Sequence, residues 1–329
     1  MAPSFSSSWT QFFPPKPQFT DRDVGDLRGK VYIVTGSNTG IGKELARMLY
    51  AKNAKVYVAA RSQEKAERAM KEIQRAVPVS TGSLVFLLLD LSDLQKVKTA
   101  AQTFIAQESK LHVLFNNAGL MSTEPMEKTT QGYEMALGVN CVGTFLFTKL
   151  LTPTLVATAK TEPTNAVRVV WLSSFGLELF AENNVGISTE NLDYHITKPA
   201  TERYGLSKCG AWALGVEFAR RHKADGIISI PINPGNLTSD LARDQPASIK
   251  IAAKMFGYPP PMGACTELWA GLSPEVTIEK SGSWVVPFGR FYPLRTDLLN
   301  ATKPEAEGGT GGTAKFWEWS ESQVQAYIQ

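Results

Sequence analysis

Cysteine is scarce in this chain of 329 residues: Cys141, Cys209 and Cys265 stand at spacings that suit neither a disulfide framework nor a thiolate metal site. An odd trio of this kind fits small buried side chains in a reducing compartment. Long hydrophobic runs are missing too; the longest, Leu84 to Leu89, is strand-sized and far short of a membrane span. The opening segment MAPSFSSSWTQFFPPKPQFT holds no apolar run of signal-peptide length, so the expectation is a cytoplasmic protein with no membrane span. Nor does charge of one sign dominate. The 34 Lys and Arg residues against 31 Asp and Glu leave a formal +3, scattered evenly, which excludes the basic footprint of a nucleic-acid binder. Histidine is limited to His112, His195 and His222. The first and last stand at a strand start and a helix end and read as structural, and His195 reads as a hydrogen-bonded loop residue.

What remains is ample for a large core, with 43% hydrophobic and 20% charged residues. Short β-branched runs alternate with longer amphipathic stretches, the pattern of a parallel sheet covered by helices on both faces. KVYIVTG, KVYVAAR, SLVFLLLD, HVLFNNAG, VRVVWLSS, GIISIPINPG and SWVVPFG read as seven strands. Helices are expected over Ile41 to Lys52, Ser62 to Val77, Ser92 to Glu108, Thr130 to Thr158 and Ala200 to His222. The fold class is therefore α/β, a doubly wound seven-stranded parallel sheet in one domain spanning residues 30–290. An arm, residues 1–29, precedes it, rich in Pro and aromatic side chains, and either packs on the body or stays mobile. A tail, residues 291–329, follows, broken by Gly308, Gly309, Gly311 and Gly312. Its helical end carries Phe316, Trp317, Trp319 and Val324, which dock on the body or bind a partner.

The stretch TGSNTGIG, residues 35–42, follows the first strand and opens the first core helix. Gly36 suits the tight turn, Gly40 a close approach of backbone to pyrophosphate, and Gly42 the packing of helix on strand. The helix N-terminus adds N–H groups and partial positive charge. The spacing differs from the common Gly-x-Gly-x-x-Gly loop. At the end of the second strand, where an acidic residue would accept the 2′-hydroxyl of NAD, stands Arg61; a guanidinium there favours the 2′-phosphate of NADP(H), with Lys43 as a second cation. Asp90 ends the third strand and can meet the adenine amino group. NNAG ends the fourth, where Asn117, Ala118 and Gly119 either pack beside the ribose or stabilise the sheet.

Taken together, TGSNTGIG, Asp90, NNAG, Asn140 of LGVNCVGTF, the serines of VVWLSSFG, YGLSK and INPGN follow the order of the short-chain dehydrogenase/reductases, which the chain resembles from about Lys30 to Ser239. TGSNTGIGKE with AAR resembles the retinol-dehydrogenase-like members and their filamentous-fungal relatives. The resemblance implies a single Rossmann domain and reversible oxidation of an alcohol to a carbonyl by a nicotinamide. Hydride arrival at a carbonyl carbon leaves charge on the oxygen, so a proton donor must stand within about 3 Å of it. Tyr204 is the candidate. Lys208, one helical turn on, lies on the same face, and its charge is expected to lower the phenol's pKa. By resemblance Lys208 also grips the nicotinamide ribose, Ser174 rather than Ser173 orients the reacting oxygen, and Asn140 shapes a helix and holds a water. Cofactor contacts extend by the same route to Asn38, Ile41, Leu91, Pro234 and Gly235, with Thr238 or Ser239 meeting the carboxamide.

From Ser174 to Tyr204 is 204 − 174 = 30 residues, about twice the spacing of small family members. The insertion, about residues 175–200, is expected to form a wall or lid at the substrate end. Residues 237–262, with Met255, Phe256 and Tyr258, suggest a second, apolar wall. The expected activity is an NADP(H)-dependent interconversion of carbonyl and alcohol on a small hydrophobic substrate, a retinoid-like compound or a secondary metabolite, with no metal; a homodimer is compatible. The alternatives are a cyclase or isomerase that uses the nucleotide structurally, and a nucleotide-sensing binding protein.

Overall fold

The structure is a computed structural model and describes residues 2–238 and 257–328. Its frame alternates strands and helices: β1 (Val31–Thr35), α2 (Gly40–Ala51), β2 (Lys55–Ala60), α3 (Gln63–Ala76), β3 (Ser83–Leu88), α4 (Leu94–Gln107) and β4 (Val113–Asn116). A helix α1 (Phe5–Phe12) precedes them in the N-terminal arm. After β4 come α5 (Met135–Leu137), a π-helical turn at Gly138–Gly143 and α6 (Thr144–Ala159), then β5 (Arg168–Leu172), α7 (Gly176–Phe180), α8 (Ala200–His222) and β6 (Ile228–Ile232). The chain closes with α9 (Pro260–Leu272), β7 (Val285–Val286), β8 (Arg290–Phe291), α10 (Thr296–Thr302) and α11 (Gly312–Ile328).

The sheet runs β3-β2-β1-β4-β5-β6-β7-β8. It is parallel as far as β7, and β8 turns back antiparallel, with Val285 opposite Phe291 and Val286 opposite Arg290. The sheet thus has eight strands rather than the seven expected, because the turn Pro287-Phe288-Gly289 at the end of SWVVPFG returns the chain for a two-residue pairing too short to leave a periodic signal. Nearly continuous apolar strands are buried on both faces: Ile33 and Tyr57 join one core, Tyr32, Val34, Val56 and Val58 the other. The order reverses between β1 and β4, and there the carboxyl ends of the strands open a crevice.

The helical run Met135–Ala159 has the length and apolar character of a membrane span, yet 83% of its most apolar window is buried inside the protein, so it is a core helix. Against it lies the C-terminal tail. Phe316 is fully buried and Trp317 nearly so, with Trp317 edge-on to Phe145 at 4.8 Å and Thr313 donating to Glu217 at 2.9 Å. Each such buried ring contributes about 1.5–3 kcal/mol, enough to hold α11 on α6 and α8. The glycine-rich segment before it is ordered by backbone bonds, Gly309 to Pro304 and Gly311 to Lys303.

Part of the insertion packs into the core, while Leu179 and Ile196 stay exposed. Leu177, Ile187 and Leu192 are buried, and Arg295 reaches from the tail side to the carbonyls of Glu178 and Ala181. Met255, Phe256 and Ser239 lie outside the described residues.

Candidate active site

One continuous cavity runs along the carboxyl ends of β1, β2, β3, β4 and β5, from Arg61 to Tyr204. At its centre the chain leaves β1 through Gly36, whose φ of +69° only glycine adopts without strain. A Cβ at Gly42 would lie 2.4 Å from Asn117 Nδ2, so this position has room for hydrogen alone. Asn117 is held there because Nδ2 donates to the Thr35 carbonyl at 2.6 Å, while Ala118 N donates to Thr35 Oγ1 at 2.8 Å. Asn117 and Ala118 thus knit the strand ends together, and both of them line the cavity along with Gly119. The bare backbone of Gly36, Gly40 and Gly42, with the start of α2 facing the cavity, fits the phosphates of a dinucleotide. Asn38 and Ile41 line the same stretch.

At the far end Arg61, Ser62, Lys65, Asp90 and Leu91 line the cavity. Lys43 does not: its ammonium pairs with Glu72 on α3, since the α2 helix turns position 43 away from the glycine loop. Lys65 is the second cation on this part of the lining. Its signal in the sequence was its place one turn beyond Arg61, in the opening turn of a helix capped by Ser62. Asp90 is held by Ser92, whose N–H and hydroxyl both donate to Oδ1, and by Lys96; these bonds outweigh burial and keep its carboxyl below the usual range.

At the reacting end the two serines part ways. Ser173 is buried and donates to the Lys208 carbonyl at 2.8 Å, whereas Ser174 Oγ accepts from Gly176 N and lies beside the Tyr204 phenol. Lys208 Nζ donates to the Leu172 carbonyl at 2.9 Å and lies 5.8 Å from the Tyr204 ring centre. Behind them the π-turn presents Asn140, which accepts from Leu120 N at 3.0 Å and donates to its carbonyl at 3.0 Å and to Ser207 Oγ at 2.8 Å. Ser207 in turn donates to the Tyr204 carbonyl at 2.7 Å, so Asn140 ties the loop after β4 to the helix bearing Tyr204. Pro234, Gly235 and Leu237 complete the lining; Thr238 does not reach it, and its N–H and hydroxyl both bond Tyr258 O.

The expected lowering of the phenol is not what this arrangement produces. Burial pushes Tyr204 up to about 12, with the Ser174 hydroxyl pulling the other way. The same burial pulls Lys208 down to about 8, against the opposing influence of Cys141 and Glu267. The cation is turned to the Leu172 carbonyl, and desolvation outweighs its reach to the phenol. Tyr204 accordingly keeps its phenolic proton at pH 7.

Glu267 on α9 escaped the sequence reading altogether. It is fully buried, neither carboxyl oxygen has a hydrogen-bond partner, and burial raises it from 4.5 to about 8, with Lys208 opposing. Between pH 4.5 and about 8 the unfolded chain has lost this proton while the folded chain keeps it, so stability drains away as pH rises through that window. Glu267→Gln should melt above the wild type by roughly 2–6 °C at pH 8, the gap closing towards pH 4.5. Melting curves across that range check this, and a gap independent of pH would contradict it.

An open sheet of this order, with a glycine turn at its reversal point and a Ser, Tyr and Lys set at one end, defines a dinucleotide-binding α/β oxidoreductase. The family model described as short chain dehydrogenase matches residues 30–250. A short-chain dehydrogenase/reductase of Neocamarosporium betae, bet4, is 52% identical over 326 residues, covering 98% of this chain and 94% of that protein. The RhlG/NADP complex of Pseudomonas aeruginosa superposes with a TM-score of 0.60 at 23% identity, over 81% of this chain and 97% of that one. A Brucella melitensis 3-ketoacyl-(acyl-carrier-protein) reductase complexed with NADH gives 0.59 at 20% identity, over 79% and 97%. The chain belongs to the short-chain dehydrogenase/reductase family.

Proposed function

We propose that the protein is an NADP(H)-dependent enzyme that interconverts a carbonyl and a primary or secondary alcohol on a small hydrophobic substrate such as a secondary metabolite. The observation that carries this reading is the convergence of Ser174, Tyr204 and Lys208 on one end of a glycine-lined groove, with the Lys208 ammonium 5.8 Å from the Tyr204 ring centre. A nicotinamide bound in that groove supplies or takes up the hydride. Tyr204 gives its proton to the carbonyl oxygen in reduction and takes it back in oxidation. Ser174 orients that oxygen and disperses its charge, and Lys208 offsets the phenolate left behind. Arg61 and Lys65 favour a 2′-phosphate at the adenosine end. Met121, Val139 and Leu237 give the reacting end its apolar lining, which suits a hydrophobic carbonyl compound.

The test uses NADPH deuterated at nicotinamide C4 and a panel of hydrophobic ketones and aldehydes. The expected product is an alcohol carrying one deuterium at the former carbonyl carbon, formed one for one with NADP⁺. Tight NADPH binding with no label in any product would favour the non-redox alternative.

A further inference from the structure

The N-terminal helix α1 contributes a chain of side-chain hydrogen bonds that ends at the loop after β6. Glu178, almost fully buried on α7, accepts from Ser7 Oγ at 2.7 Å on one carboxylate oxygen and from Gln11 Nε2 at 2.6 Å on the other. Gln11, itself buried, accepts from Asn233 Nδ2 at 2.8 Å, and Asn233 Oδ1 accepts from Gly235 N at 3.0 Å. Gly235 lines the cavity beside Tyr204. A second tether converges on the same glycine: the Arg290 guanidinium holds Thr10 through its hydroxyl and carbonyl and also bonds the Pro287 carbonyl. Pro287 packs where a Cβ on Gly235 would lie, 3.2 Å from its ring. On the other side Phe12 stands edge-on to Phe175 at 5.0 Å, one residue beyond Ser174. Both ends of the reacting site are thus held by α1.

We propose that Gln11 is a positioning residue: through Asn233 it fixes the Pro234 and Gly235 loop over the nicotinamide end of the groove, making the N-terminal arm part of the active site. The inference rests on the dinucleotide reading above. Among the described residues, Gln11 is the one side chain that accepts from Asn233 and donates to Glu178 together. Removing it leaves a buried carboxylate oxygen and a buried amide each short of a partner. The loop then loses its register while the glycine turn and Arg61, on other elements, keep theirs.

The experiment compares binding of NADPH with that of 2′-phospho-ADP-ribose, which lacks the nicotinamide, by calorimetry on the full-length protein. Gln11→Met keeps the side-chain volume and should weaken NADPH by about tenfold while leaving 2′-phospho-ADP-ribose unchanged. Exchanging the partners, Gln11→Glu with Glu178→Gln, keeps the net charge, the acceptor for Asn233 and a bond between positions 11 and 178 with its direction reversed, giving up only the donation from position 11 to Ser7 Oγ, so it should restore the wild-type ratio; Gln11→Glu alone sets two carboxylates together and should not. Trp9→Ala, on the exposed face of α1, should leave the ratio unchanged. Equal weakening of both ligands in Gln11→Met, a fall in melting temperature with the ratio unmoved, or failure of the exchanged pair to restore it each overturns the proposal. A wild-type protein that binds neither NADPH nor NADH removes the dinucleotide reading itself, which separates that failure from a failure of the network.

Discussion

Tyr204→Phe should lower kcat for carbonyl reduction by about 10²–10⁴-fold, the usual contribution of a positioned proton donor. The substitution removes one oxygen from a half-buried ring and leaves the cavity's shape alone, so NADPH affinity should stay close to wild type. The neighbouring Ser174 hydroxyl still accepts from Gly176 N and keeps its place. The loss therefore falls on kcat and not on the dissociation constant. Single-turnover reduction followed by NADPH fluorescence, with calorimetry for binding, separates the two. Full turnover in the variant would remove Tyr204 as the acid. The raised phenol accords with this role: with Tyr204 pushed up to about 12, the proton is in place for reduction at neutral pH.

Arg61→Asp should move the NADPH to NADH ratio of kcat/KM by about 10²-fold or more towards NADH. Two effects add: the charge-assisted bond to the 2′-phosphate is lost, and a carboxylate takes its place, repelling that phosphate and accepting from a ribose hydroxyl. Arg61 is exposed and makes no ion pair among the described residues, so the melting temperature should hardly change and the effect is one of recognition. Lys65 remains as a weaker attraction, and Arg61→Asp with Lys65→Ala should go further. Steady-state kinetics with both cofactors on one substrate measures the ratio; a constant ratio would mean that the end of β2 does not read the 2′ position.

Much of the site could be read before any coordinates because its chemistry is local. The glycine turn spans eight residues and Tyr204 to Lys208 one helical turn, and α8 runs over Ala200–His222 as its periodicity implies. Backbone room, helix spacing and strand-end position are short-range properties, and the residue types record them. Choices between neighbours were less legible. Lys43 and Lys65 are both cations near the glycine loop, yet only the twist of α2 against α3 sends one to Glu72 and leaves the other on the cavity. The phenol's upward shift was missed because spacing reports a nearby ammonium but not the depth of burial around it.

By itself the sequence determined a doubly wound α/β chain with a nucleotide turn at one end of its crevice and a phenol with an ammonium at the other. Near-continuous apolar strands must be covered on both sides, and only crossover helices do that. Tertiary structure alone decided that Leu177, Ile187 and Leu192 of the insertion are buried, that the Glu267 carboxyl has no hydrogen-bond partner among the described residues, and that Gln11 of the arm bonds Glu178 and Asn233. Gln11 meets Glu178 across 167 residues and Asn233 across 222, and no local pattern encodes a bond of that range. Such contacts exist only once the sheet has brought its distant strand ends to one edge, where a buried carboxylate and amide need partners and the arm supplies them.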